Sequence, residues 1–446
     1  MSRPTPHPTP RRAAVASLVG TTIEWYDFYL YATASALVFA PLFFTGVDPA
    51  AGLLASFATY AAGFGARPVG AVVAGHLGDR VGRRSVLVAS LLLMGAATTL
   101  IGLLPTYPTA GLLAPVLLVV LRLVQGLAVG AEWAGAMLMA VEHSTGDGHE
   151  RRRGFFGSFP QIGSSAGMLL ASGVYAGVLG VVGKDAFLAW GWRIPFLLSL
   201  LLVGVGLAIR LTLADPAVFT AARDAGTLAR MPVLEVLRTD WRTVLLTIGS
   251  RIAQNSVYIL ATTFALTYLA QTTSAAAGAG LTAVIVASAI GLVSTPLWAI
   301  LSDRVGRKPV YLVGAIGAPL FLAVFFLLLD TGSTALVVVG MVVLVNLFHD
   351  AMYGPQAAWY GELFDTRVRY SGASLGYQIG SVIGGTTPLI STALLYAGGG
   401  RPWLIWGWFA VLFAICILAT VLSPETLRTG LRDDRITLPT KENTPA

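Results

Sequence analysis

Six charged side chains stand inside stretches that are otherwise apolar: Glu24 and Asp27 in TTIEWYDFYLYA, Arg67 in RPVGAVVAGH, Arg122 and Glu132 in RLVQGLAVGAEW, and Arg251. A carboxylate there can carry a proton, and an arginine, which keeps its own, can grip a carboxylate through two parallel hydrogen bonds. Each such charge costs ~3 kcal/mol at the centre of a bilayer unless something compensates it. Three acids against three arginines predict a paired network facing a watery cavity. Arg122 and Glu132 lie about 15 Å apart along one helix axis at ~1.5 Å per residue, so each needs another partner. Asp27 is the partner expected for Arg122. Glu24, one turn from Asp27 on nearly the same face, is either a relay or a structural partner of Arg67. Tyr31, four residues after Asp27, shares its face. The alternative for Arg67 and Glu132 is that the pairs only hold helix register.

The elements that must position these groups are membrane helices. The 446 residues are 55% hydrophobic and 11% charged, with mean hydropathy +0.74, against about 25% charged in soluble domains. Apolar runs long enough to span ~30 Å of hydrocarbon recur from end to end, and none alternates with period two as a barrel strand would. The reading is an all-α polytopic membrane protein of twelve transmembrane helices, at 15–44, 52–76, 85–104, 113–141, 156–182, 190–212, 243–270, 277–301, 309–329, 334–361, 371–396 and 402–423. Of 29 Lys and Arg, 23 fall in the termini and even-numbered loops. Lys184, Arg193 and Arg401 fall on the other side, and three lie inside helices. Both termini are therefore expected in the cytoplasm of a plasma (inner) membrane protein. The expected parts are an N-terminal tail (1–14), a six-helix bundle (15–212), a partly amphipathic linker (213–242), a second six-helix bundle (243–423) and a C-terminal tail (424–446). The basic N-terminal segment is read as an uncleaved tail. The lone Cys416 forms no intramolecular disulfide.

The bundles repeat one another. GDRVGRR at 78–84 returns as SDRVGRK at 302–308, offset by 224, and QIGS at 161–164 returns at 378–381, offset by 217. Two matches in the same order argue for a duplicated six-helix unit with pseudo-symmetric halves. The first repeat reads as a tight cytoplasmic turn in which Gly75, Gly78 and Gly82 relieve the backbone. Its Asp79, Arg80 and Arg83, with Asp303, Arg304 and Arg307 of the second copy, are candidate gating residues that latch the halves in one state. No Gly-Lys-Ser/Thr follows, which argues against a phosphate loop.

GHLGDRVGRR resembles the loop signature of the major facilitator superfamily, which implies the major facilitator fold and alternating access. EWYDF (24–28), RPVGAVVAGHLGDRVGRR (67–84), RLVQGLAVGAEW (122–133), WGWRIPF (190–196) and RYSGASLGYQIG (369–380) are similar to the metabolite:proton symporter family over essentially the whole chain. Arg251, FALTY (264–268) and His349-Asp350 look most like its shikimate permease branch. The sequence departs from the expected GGEW at Ala131-Glu132-Trp133. The resemblance implies an acid in helix one and an arginine in helix four for proton coupling, which are Asp27 and Arg122, with Glu24 and Glu132 as further candidates.

The offset of 224 maps Asp27 onto Arg251, so the two would face the cavity from equivalent positions. Arg251 and Tyr31 with Gln161, Gln254, Asn255 and Gln356 are the candidate substrate contacts. His349-Asp350 reads equally as a second titratable pair or as a hydrogen-bonded structural histidine. The expectation is proton-coupled symport of a small organic acid by a monomer in the lipid bilayer, without cofactor or nucleic acid. A zwitterionic osmolyte such as proline or betaine is the alternative substrate, and a channel or non-transporting sensor the alternative class. No HExxH occurs, there is one cysteine and the five histidines are scattered, which argues against an enzyme.

Overall fold

A computed structural model describes residues 10–81, 83–130, 132–142, 152–212, 232–273, 278–365 and 368–427. Gly82, Ala131, most of the predicted linker and both predicted tail ends lie outside the described residues. Twelve long helical stretches follow one another, with no strand among the described residues. In the first half, α1 is Pro10–Leu37, α2 Pro49–Val81, α3 Arg83–Leu103, and α4 has two pieces, Leu113–Gly130 and Trp133–Glu142. Then come α5, Arg153–Val182, and α6, Arg193–Thr212. In the second half α7 runs from Trp241–Ile259 through a π-helical turn, Leu260–Phe264, into Ala265–Thr272. α8 is Gly278–Val305 and α9 Arg307–Asp330. α10 joins Thr334–Val342 to Asp350–Leu363 through a second such turn, Val343–His349. α11, Arg369–Ala397, and α12, Trp403–Leu422, complete the chain.

Eight helices among the described residues are individually long and apolar enough to cross a membrane, or nine if the bent pair Lys184–Gly191 and Arg193–Ala208 counts as one span. The stretches that fall short include α1, α2 and α7, which carry Glu24, Asp27, Arg67 and Arg251. Outward faces are apolar, with Leu200, Leu297, Leu320 and Leu418 exposed, as contact with lipid tails requires. Inward faces hold the polar groups.

Each packing in the first half returns six helices later. α1 lies on α5 as α7 lies on α11, α2 on α4 as α8 on α10, and α3 on α6 as α9 on α12. The halves meet mainly where α2 packs on α11 and α5 on α8. Within the first half, Gly126 and Gly130 let α4 press on the α2 backbone; a Cβ at either would overlap the carbonyl oxygen of Gly63 or Arg67. This is the close approach that small residues permit between helices in lipid.

The repeated motif differs from the predicted turn. Helix α2 continues to Val81, so Gly75 and Gly78 are helical and are not turn residues. In the second copy the turn is confined to Gly306, whose φ of +115° is the left-handed conformation that favours glycine. The reason is length: helices that outrun the hydrocarbon need only one residue to reverse. The side chains of Asp79, Arg80 and Arg83, and Gly82 altogether, lie outside the described residues.

Candidate functional site

Asp27 is fully buried in α1 and accepts a hydrogen bond of 2.5 Å from Ser199 of α6. The Thr98 hydroxyl of α3 donates to the Met94 carbonyl at 3.0 Å. Arg122 is buried in α4, where its guanidinium donates to Gln125 Oε1 at 3.1 Å, and Gln125 Nε2 donates to Thr98 at 2.7 Å. The expected ion pair between Asp27 and Arg122 is absent: Ser199 bonds the acid, while the arginine bonds Gln125, which in turn bonds Thr98. The physical reason is that aromatic faces already hold the arginine: its guanidinium carbon lies 4.5, 4.2 and 5.0 Å from the ring centres of Phe28, Tyr31 and Tyr60. Tyr31 is therefore a support for Arg122, fixed by its own 2.6 Å bond to Thr59.

Arg67 of α2 sits over Trp25, Phe28 and Phe64 at 5.1 to 5.7 Å, within electrostatic reach of Glu24. Glu132, at the break in α4, is 1% exposed. The one-to-one pairing of three acids with three arginines is not what the fold builds. It surrounds the arginines with rings and amides.

Arg251 of α7 is the clearest case. Its Nη1 donates to Gln254 and, at 2.8 Å, to Gln356 of α10; Nη2 donates to Asn255 at 3.3 Å and Nε to Ser381 of α11 at 3.4 Å. Every one of these acceptors is neutral. The guanidinium carbon lies 3.7 Å from the centre of the Tyr377 ring, and that ring stacks on Trp133 of α4 at 3.5 Å and 12°. Trp133 thus connects the first half to the arginine of the second. Gly380 leaves the space that the Arg251 side chain fills, as Gly63 does for Arg122.

Four predicted substrate residues converge here: Arg251, Gln254, Asn255 and Gln356. Gln161 does not join them. It accepts from Trp133 Nε1 at 3.1 Å and donates to the Tyr353 carbonyl at 3.1 Å, tying α5 to α4 and α10. Gln378, its counterpart in the second QIGS, donates across the halves to the Gly130 carbonyl at 3.2 Å. His349 packs on Tyr258 and Tyr353 and its Nδ1 bonds Asp350 at 2.9 Å.

At the end of the bundle that carries the SDRVGRK motif, Asp303 accepts from the Gly154 and Phe155 amides at 2.8 and 2.9 Å, capping α5 across the halves. Arg307 pairs with Asp303 at 2.7 Å and with Glu362 at 3.1 Å, while Glu362 pairs with Arg153 of the first half at 3.2 Å. Arg304 is exposed and stands apart from this cluster. Sequence reasoning passed over Glu362, whose only signal is a carboxylate at the end of the predicted tenth helix. It also passed over Thr98, Gln125, Ser199 and Tyr377, which look like ordinary polar residues until the helices are packed.

Two duplicated six-helix units closed around a centre of buried arginines define a membrane carrier of the six-plus-six class. The chain belongs to the Major Facilitator Superfamily, whose sequence pattern matches residues 18–385. It is a multi-pass membrane transporter and not an enzyme. Among curated relatives, the shikimate transporter of Escherichia coli is 39% identical, covering 92% of each chain. The glycine betaine/proline/ectoine/pipecolic acid transporter of Dickeya dadantii is 35% identical over 86% of this chain and 77% of its own. Among solved structures, the partially occluded inward-open xylose transporter of Escherichia coli superposes with a TM-score of 0.71 at 18% identity, covering 94% of this chain and 98% of that one.

Proposed function

We propose that the protein is a proton-coupled symporter of a small organic acid, with a shikimate-like carboxylate as the leading class. The observation that carries this reading is Arg251: a buried guanidinium whose hydrogen-bond partners are all neutral keeps a fork of donors with no carboxylate bonded to it. A substrate carboxylate entering between the halves exchanges the Gln254 and Gln356 amides for a bidentate pair. Asp27 is the proton carrier of this scheme, because it is buried with a neutral partner, the Ser199 hydroxyl, and a proton neutralises it there. In another state of the cycle, Arg122 leaves Gln125 to meet the deprotonated acid.

The likeness to the shikimate transporter supports the anionic class, and so do the aromatic faces. A quaternary or secondary ammonium substrate would need open rings. Here Trp25, Phe28, Tyr31, Tyr60 and Phe64 already lie beneath guanidinium groups. The zwitterionic osmolyte class is therefore second. The central arginines are each about 1% exposed or less, as an occluded stage of alternating access requires. The positive-inside pattern supports cytoplasmic termini, a relative named as an inner membrane transport protein supports that membrane, and a site built within one chain supports a monomer.

The test is uptake into proteoliposomes under an imposed pH gradient, with shikimate, 2-oxoglutarate, citrate, proline and betaine in competition. Arg251→Ala and Arg251→Lys should each lower uptake of the preferred acid at least about a hundredfold, the loss of a bidentate charge-assisted pair being worth ~3 kcal/mol. Unchanged uptake by Arg251→Ala would sink the carboxylate clamp.

A further inference from the structure

Arg251, Gln254, His349 and Asp350 form one buried chain of hydrogen bonds, and its donors and acceptors can be assigned without choice. A guanidinium only donates, so the atom of Gln254 that meets Arg251 Nη1 is the carbonyl oxygen. The Gln254 amide nitrogen then faces His349 Nε2, which must accept. The ring proton is therefore on Nδ1, where it is donated to Asp350 Oδ1 at 2.9 Å. Asp350 Oδ2 receives further donors from Ser294 and, at 3.1 Å, from Asn346, which leaves the carboxyl group acting as an acceptor only. The orientation of one amide, Gln254, thus connects the state of the histidine to the hand of the arginine.

We propose that His349 is a second proton-binding residue and that Gln254 is the positioning residue that transmits its state to Arg251. A proton taken from the aqueous side onto Nε2 turns that atom into a donor, while the Nδ1 bond to Asp350 stays intact and becomes an imidazolium–carboxylate pair. Gln254 must then present its oxygen to the ring and its amino group to Arg251. Two donors now face each other, so Nη1 leaves Gln254, and the hydrogen it gave there is released for a substrate carboxylate while its bond to Gln356 remains. Proton and anion then favour one another, as linkage demands of symported partners. This inference rests on the reading of Arg251 as the substrate clamp.

The other groups facing His349 are few. Tyr258 of α7 and Tyr353 of α10 pack on the ring at 4.6 and 5.2 Å, and Tyr29 of α1 stands behind Tyr258 at 5.8 Å. Helix α8 contributes the neutral Ser294, and the charged residues of α8 and α9, namely Asp303, Arg304, Arg307, Lys308 and Asp330, lie at helix ends. Arg251 is the cation within electrostatic reach and Asp350 the anion. Proton binding at this ring is thus read by its own two neighbours.

The test begins without substrate. Nitrogen NMR of the full-length protein, with ¹⁵N-histidine and ¹⁵N-arginine assigned by loss of signal in His349→Gln and Arg251→Lys, should show a neutral His349 with its proton on Nδ1 at pH 8. Lowering the pH to 5.5 should shift the Arg251 Nη signals together with those of His349 in the wild type, and only those of His349 in Gln254→Met. A proton on Nε2 at pH 8, or Arg251 signals that move equally in Gln254→Met, overturns the proposal. Shikimate binding then ties it to transport. In an Asp27→Asn background, affinity should still rise about tenfold from pH 8 to 5.5, the scale of one hydrogen bond to a charged group, and less than about twofold once Gln254→Met is added. Failure of shikimate to bind any variant would count against the substrate class, and the NMR arm would still decide the switch.

Discussion

Asp27 and Arg122 do not touch, and each is held by a different neutral neighbour. Ser199 holds the acid, Gln125 holds the arginine, and Gln125 bonds Thr98 at 2.7 Å. A direct pair would lock helices α1 and α4 in one arrangement. A neutral partner such as Ser199 leaves the acid able to change partner.

Asp27→Asn should therefore abolish pH-driven accumulation while substrate counterflow, which needs no net proton movement, survives. Gln125→Leu should weaken accumulation without removing the carrier and should destabilise the protein by ~1–3 kcal/mol, since Thr98 and one Arg122 donor lose their buried partner. Uphill uptake and counterflow in proteoliposomes, with thermal unfolding in detergent, separate the two outcomes. Full uphill accumulation by Asp27→Asn would remove it as the proton carrier.

The two glycines that house the arginines are a second test. A methyl group at Gly63 would overlap the Arg122 side chain, and one at Gly380 the Cβ and Cγ of Arg251. Gly63→Ala and Gly380→Ala should each cost ~1–3 kcal/mol of stability as overpacking and should reduce transport by more than expression. A neighbouring control, Gly65→Ala, where nothing lies within 4 Å, should transport normally. Equal behaviour of all three would show that the arginines do not depend on these spaces.

Glu362 ties the two halves at this end of the bundle, since it meets Arg153 from one half and Arg307 from the other. Glu362→Gln leaves two buried guanidiniums facing a neutral group, and breaking such pairs costs ~3–5 kcal/mol. The expected result is an opening of this end of the bundle. It is measured as faster maleimide labelling of Ala357→Cys, buried beneath Gly157, in a Cys416→Ala background. Unaltered labelling would mean that the ion pairs do not hold this end shut.

Membrane residence, twelve spans and duplication were legible in the chain because they depend on local properties. Hydrophobic length fixes a span, charge bias fixes which loops share a side, and a repeated GDRVGRR with a repeated QIGS records one folding unit used twice. The same logic turns Arg251, Gln254, Asn255 and Gln356 inward, where they are buried together, because a polar residue inside an apolar helix avoids lipid. What pairs with what depended on packing. Asp27 lies 172 residues from Ser199, and Arg307 lies 55 from Glu362. No helical period connects such partners. Counting charges predicted acid–arginine pairs, whereas the fold also had rings, amides and hydroxyls with which to satisfy a guanidinium. Which of them it used was decided only when α1, α4 and α7 came together around the centre, since hydrogen bonds need partners within about 3 Å and only tertiary structure sets that distance.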